Sequence, residues 1–342
     1  MPGSRIQLGE LLRTDYASAA LQEYGSAPVR LTKEARMFSE LKRIRRLERE
    51  IKRVKHLDAR ILINQMRSAG QLPRLADAEF QVSSQFGEDG ILQYLIHRVG
   101  DLPRRFIECG VETYVEANTR FLLENNNWSG LIIDCDQKAM EQLREDDIYW
   151  RHDITSVGAF ITRDNINELC QSNGFTGEIG LLSIDIDGND YWVWNAVNAV
   201  RPTIVSIEFN SLFGDQHPIS IPYDPAFTRG KAHSSMMYWG CSLPALCHLA
   251  ELKGYVHVGC DSVGLNAYFV RADAAHGLRK FSAQEGYVRS SIRQSRDKHG
   301  DLNFHSFAQI REEICDLPVV DVVTGKELKL KELPLPDAQE RC

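Results

Sequence analysis

The stretch LLSIDIDGNDYWVW, residues 181–194, closes an apolar run with Asp185 and Asp187, then a Gly-Asn turn and Asp190. Four other apolar runs end in polar residues as well: Glu108 and Gly110, Asp134 and Asp136, His152 and Asp153, Glu208 and Asn210. Carboxylates accept hydroxyl protons, hold hard cations and act as general bases. In an extended strand residues two apart face the same way, so Asp185 and Asp187 are expected to point together, as are Glu208 and Asn210. These four would form an oxygen donor set for Mg2+, which acidifies a bound hydroxyl. The metal-free alternative makes Asp185 or Glu208 the general base and leaves the rest to in-line placement. Asp190 reads first as a helix cap, at the positive end of its helix, and second as a ligand.

Such a fan of acids needs a scaffold that stops several strands at one edge. The segments SQFGEDGILQYLIHRV, ANTRFLLENNN, QKAMEQLRED, RDNINELCQSN and YWVWNAVNAV carry helical patterns. Between them RRFIECG, SGLIIDCD, IYWRHDI, IGLLSIDID and PTIVSIEFN read as strands, and YVHVGC and NAYFVRAD follow as two more. Strands alternating with crossover helices predict an α/β fold with a doubly wound, mostly parallel, seven-stranded sheet. Ligands bind such sheets beyond the carboxyl ends of the strands, near the switch in strand order.

The ligand can be narrowed by what is missing. The first turn, ECGVETYVEANTR, holds one glycine where a dinucleotide site needs three, and no Gly-Lys-Ser or Gly-Lys-Thr occurs anywhere. Phosphate is therefore disfavoured. A pocket of carboxylates suits a ligand with ribose hydroxyls and a positive centre, and S-adenosylmethionine is one.

From residue 83 to 272 the chain resembles the class I S-adenosylmethionine-dependent methyltransferases, and among them the FkbM-type O-methyltransferases. The resemblance is carried by SQFGEDGIL, FIECGVETYVEANTRFLL, GLIID, LLSIDIDGNDYWVW, RPTIVSIEFN and GLNAYFVR. SIDIDGND is the most specific piece, with Asp187 in place of the family's glutamate and Ser183 in place of its lysine. The resemblance implies a Rossmann-like methyltransferase fold. It implies that Gly110 lets the methionine portion pass the backbone, that Glu108 fixes the loop, and that Asp134, with Asp136 as fallback, accepts from the ribose. It further implies that Asp153 accepts from the adenine amino group, with His152 beside it to stack, and that Asp185 and Glu112 border the cofactor. The family's later loop glycine is missing, with Glu112 and Tyr114 nearby. That departure keeps open a non-catalytic scaffold or assembly protein that binds partners through a basic helix. The implied activity is methylation of a hydroxyl on a sugar, glycan or glycosylated natural product, with S-adenosylmethionine as cofactor and Mg2+ as a candidate aid.

The span 211–242 is too long for an ordinary loop and is expected to be a lid. Its His217, Tyr223, Asp224, His233, Tyr238 and Trp239 are substrate-pocket candidates, since aromatic faces pack on sugar rings and polar tips read hydroxyls.

The 342 residues divide into a helical segment over 1–78, the α/β domain over 79–274 and an extension over 275–342, with a hairpin expected at Thr324-Gly325. From Thr32 to Ser68 the pattern is a long basic amphipathic helix, with Met37, Ile44 and Ile51 at one seven-residue spacing and Leu47, Val54 and Ile61 at another. It either lies on its own domain or pairs protomers in a homo-oligomer. A net charge of −7 argues against a nucleic-acid partner. The eight cysteines lack CxxC pairs and read as reduced thiols, and no run is long enough to span a membrane; a cytoplasmic location is expected.

Overall fold

The computed structural model describes residues 33–333. The chain divides into two compact units at Arg53/Val54. The first contributes the amino-terminal part of α1 (Lys33–Ala69), a continuous helix close to the expected span.

The second unit is built on a seven-stranded sheet. Its strands are β1 (Arg105–Cys109), β2 (Ser129–Asp134), β3 (Ile154–Gly158), β4 (Gly177–Ile184), β5 (Val200–Glu208), β7 (Tyr255–Cys260) and β8 (Asn266–Arg271). They lie in the order β3-β2-β1-β4-β5-β8-β7. All neighbours from β3 to β5 are parallel, while β8 runs antiparallel to both β5 and β7. The order reverses between β1 and β4, so the crevice for a ligand opens there.

Each strand alternates its side chains between two cores. Ile107, Leu131, Leu182 and Val205 face one, with Val193 and Trp194 of α7 (Asp190–Ala196) and Leu246 of α9 (Leu243–Lys253). Phe106, Ile132, Leu181 and Ile204 face the other, with Leu92 and Leu95 of α2 (Glu88–Val99), Leu122 of α3 (Arg120–Asn126) and Met140 of α4 (Gln137–Glu145). Helices thus cover both faces, which is the doubly wound α/β arrangement.

Two expected elements are different. Residues 84–87 are not helical: Asp89 Oδ2 accepts from the N–H groups of Val82, Ser83 and Ser84, so the helix begins only at Glu88. IYWRHDI is not a strand. Asp146 caps a short helix, α5 (Asp147–Arg151), by accepting from Ile148 N at 2.8 Å, and β3 starts only at Ile154.

A second sheet joins distant parts of the chain. β6 (Ile219–Ser220), from the 211–242 insertion, pairs with β9 (Pro318–Asp321), which forms a hairpin with β10 (Glu327–Lys329) turning through Thr324 and Gly325. Leu212, Phe213, Ile221 and Tyr238 of the insertion pack with Ile310, Ile314 and Leu330 of the extension in a third small core. The insertion is therefore a packed wall rather than a loose lid. Among the described residues no helix is long and apolar enough to cross a membrane.

Candidate active site

A cavity of about 710 Å³ opens at the β1/β4 crevice. Glu88, Glu108, Glu112, Glu116, Asp134, Asp136, Asp185, Asp187 and Glu208 line it, against one described basic residue, Arg229 of α8 (Arg229–Ala232).

Its floor is set by the loop after β1. Glu108 is buried and accepts from Asn118 N (2.8 Å), Thr119 N (3.1 Å) and the Thr119 hydroxyl. Burial pushes its carboxyl up to about 7, against those hydrogen bonds. Gly110 has φ +80, and a Cβ there would stand 1.6 Å from the Asp185 carbonyl oxygen. The glycine is required where the turns after β1 and β4 touch, a different reason from passage of a ligand. Glu112 (φ +48) and Tyr114 (φ +59) take the left-handed conformation that a glycine would adopt freely. Tyr114 is held there by burial and by its hydroxyl 3.0 Å from Thr119 Oγ1.

Asp134 faces the loop. Its Oδ2 accepts from Val111 N and Glu112 N, both at 2.8 Å, and its Oδ1 from Asp136 N at 2.8 Å. A carboxylate has about four acceptor sites, so one remains for a ligand hydroxyl. Asp136 caps α4 through Ala139 N and still lines the cavity.

His152 and Asp153 lie at the amino end of β3 and do not line the cavity. They precede β3, whose first residue Ile154 is level with Gly130, and the Asp153 carbonyl accepts from Gly130 N at the start of β2. What lines the cavity beyond the carboxyl end of β3 is Ala159, Phe160 and Ile161. The large ring of Phe160 is 42% exposed.

Three of the four proposed metal ligands come together. Asp185, Asp187 and Glu208 place carboxylate oxygens within 4.8 Å of one another. The cause is not strand periodicity, because β4 ends at Ile184. Asp187 reaches the cluster from a left-handed turn (φ +56) fixed by Asp190, whose two oxygens accept from Ile186 N and Gly188 N. Asn210 does not join them. Its Oδ1 caps a short 3-10 turn through Leu212 N, and its Nδ2 donates to the Met237 and Trp239 carbonyls.

The cluster is electrostatically tense. Burial, then the neighbouring acids Asp187 and Asp190, raise the Asp185 carboxyl; burial, then Asp185, raise Glu208 well above the usual range. Both carboxyls are thus held above the ordinary carboxylate range by burial and by each other. Glu208 Oε2 is buried without a hydrogen-bond partner. The cation that the fold itself supplies is Arg229, which pairs with Asp187, donates to the Met236 carbonyl and lies 5.5 Å over the Trp239 ring.

None of the six substrate candidates lines this cavity. Tyr223 bonds Asp164 under the Arg163 guanidinium, and the Asp224 carbonyl accepts from Asn189. His233 bonds Ser235, the His217 carbonyl accepts from Ser242, and the Tyr238 hydroxyl donates to the Pro318 carbonyl. Trp239 lines an adjoining cavity of about 410 Å³ with Arg289 and Arg293, which shares Leu265, Ile292 and Gln294 with the first. The insertion instead contributes Phe227 and Arg229. Phe227 packs so closely that a Cβ on Gly188 would stand 2.3 Å from its ring. No spacing in the sequence marks these two.

No family model and no curated protein matches the chain. Among solved structures it is similar to an O-methyltransferase family protein from Burkholderia thailandensis, at 10% identity over 60% of each chain and a TM-score of 0.33. A likeness that low carries no weight beside the sheet and the cavity themselves.

Proposed function

We propose that the protein is an S-adenosylmethionine-dependent O-methyltransferase acting on a hydroxyl of a sugar, glycan or glycosylated natural product. The observation that carries the reading is the cavity at the β1/β4 switch, rich in carboxylates and without a phosphate-binding loop. Its volume falls in the range of cofactor and substrate sites. When bound, adenosylmethionine supplies an electrophilic methyl group.

The chain's residues have distinct parts in this reading. Asp134, Asp136 and Glu112 bind hydroxyls, and Phe160 offers the base an apolar face. Ionised Asp185 would take the proton of the acceptor hydroxyl as the hydroxyl oxygen bonds to the methyl carbon and the methyl–sulfur bond breaks, its electron pair going to the sulfur, while Glu208 stays protonated beside it. The Asp185 carboxyl, pushed up to about 8, is a stronger base than an ordinary carboxylate once ionised. Asp185, Asp187 and Glu208 also suit a hard divalent cation, which would acidify the hydroxyl, and the unpartnered Glu208 oxygen fits such a donor set. Arg229 would then compete for Asp187.

A non-catalytic scaffold draws support from one observation: the Asp134 carboxylate is already engaged by three loop amides. Titration calorimetry with S-adenosylmethionine and S-adenosylhomocysteine, each with Mg2+ and with chelator, separates the two. Micromolar binding lost in Asp185→Asn, followed by methyl transfer to a panel of saccharides, is the expected result. Absence of binding of either ligand under every condition refutes the enzyme reading.

A further inference from the structure

We propose that α1 pairs with α1 of a second copy of this chain in a two-stranded coiled coil. Written as heptads, a positions fall at Met37, Ile44 and Ile51, and d positions at Leu47, Val54 and Ile61. Each of these six side chains is 48–59% exposed, although large apolar groups in a row along one helix face are ordinarily covered.

The helix already uses its other side. In the second unit, Ala59 and Ile63 are buried against Phe121, and His56 meets the same ring edge-on at 5.4 Å. Those residues occupy b and f positions, opposite the a/d seam on a helix of 3.6 residues per turn. The seam there therefore faces away from the α/β domain, and no described residue of the same chain covers it.

Charge points to a copy of itself as the occupant. Of the positions flanking the seam, Leu41, Leu57 and Leu62 are apolar, and the charged ones are Arg43 and Glu50 at g, and Glu48 and Lys55 at e. In a parallel pair Arg43 meets Glu48 of the copy and Glu50 meets Lys55; in an antiparallel pair centred near residue 49, Arg43 meets Glu50 and Glu48 meets Lys55. Each of these charged contacts joins opposite signs in either orientation. Lys55 also donates to the Val82 carbonyl at 3.2 Å, which leaves two of its three protons for a partner. A basic face alone would repel its own copy, so this alternation is what a self-pairing helix requires. Asp58 at an a position and Glu40 at a d position interrupt the seam, and the pair is expected to dissociate on dilution.

The test is the mass of the full chain by sedimentation equilibrium across a concentration series. Twice the 38.8 kDa of one chain is expected at high concentration, and 38.8 kDa for Ile44→Glu/Ile51→Glu, whose substitutions favour helix as well as the originals do. Glu50→Lys weakens the dimer. Restoration by added Lys55→Glu identifies a parallel pair, and restoration by added Arg43→Glu an antiparallel one. A monomer at every concentration, a seam free for some other helix, overturns the proposal. So does a dimer that survives Ile44→Glu/Ile51→Glu, or one that neither charge reversal restores.

Discussion

Replacing Gly110 with alanine separates packing of the floor from recognition of a ligand. Alanine at φ +80 costs about 1–2 kcal/mol for the left-handed backbone alone. The new Cβ also lies 1.6 Å from the Asp185 carbonyl oxygen, and nothing flexible stands there to yield. Relief requires the turns after β1 and β4 to separate, which strains the bond from Asp185 N to the Cys109 carbonyl (3.0 Å) and that from Gly110 N to the Ile133 carbonyl (2.9 Å). Overpacking of this kind adds about 1–3 kcal/mol, so the total is about 2–5 kcal/mol. That is a large share of the ~5–15 kcal/mol that holds an ordinary domain folded. Gly174→Ala is the control, because its φ is +75 and nothing lies within 4 Å of the added atom. It should lose only the backbone term, about 1–2 kcal/mol. Urea unfolding followed by tryptophan fluorescence and by circular dichroism measures both. Equal losses in the two variants would refute the steric argument, and Gly110→Ala with undiminished S-adenosylhomocysteine affinity would show that the Asp185 turn is no part of the site.

Glu108, raised from 4.5 to about 7 by burial, holds a proton in the folded state that the unfolded chain releases; its contribution is full below pH ~4.5 and is lost as pH rises through 7. Unfolding free energy measured from pH 5 to pH 8 should therefore fall more steeply in the wild type than in Glu108→Gln, by up to ~3 kcal/mol, and parallel slopes would contradict the shift. Phe160→Ala should weaken S-adenosylhomocysteine by about 1–3 kcal/mol in calorimetry without lowering the unfolding midpoint, whereas unchanged affinity would remove the ring from the base site. Arg229→Met should tighten Mg2+ binding, since it frees Asp187; an affinity equal to the wild type would mean that the guanidinium and the ion do not compete.

The sheet was legible because its strands are apolar runs separated by capped helices, a pattern that burial on two faces imposes. The cluster at Asp185, Asp187 and Glu208 was legible as composition, but its convergence depends on Asp190 folding the turn, which strand periodicity does not describe. The third strand was misplaced because IYWRHDI is short and aromatic, while the cap at Asp146 tips it into a helix. That shift carried His152 and Asp153 to the far end of the sheet and hid Phe160. Asn210 and the six residues of the insertion have side chains or carbonyls that take hydrogen bonds within the protein, several to residues far off in the chain, which residue type alone does not reveal. Arg229 and Phe227 reach the cavity through tertiary packing across separate elements.

The pairing of β6 with β9 also orders events in time. Ile219 waits for Asp321, synthesised about a hundred residues later, which at ordinary elongation rates is a delay of roughly 5–20 s. Through that interval the parallel strands β1 to β5 already exist in the growing chain, while the wall that carries Phe227 and Arg229 has no strand to lean on. The nascent protein thus builds its crevice first and furnishes the facing wall last, so a chain halted before Pro318 would hold a finished seven-stranded sheet with an unfinished wall.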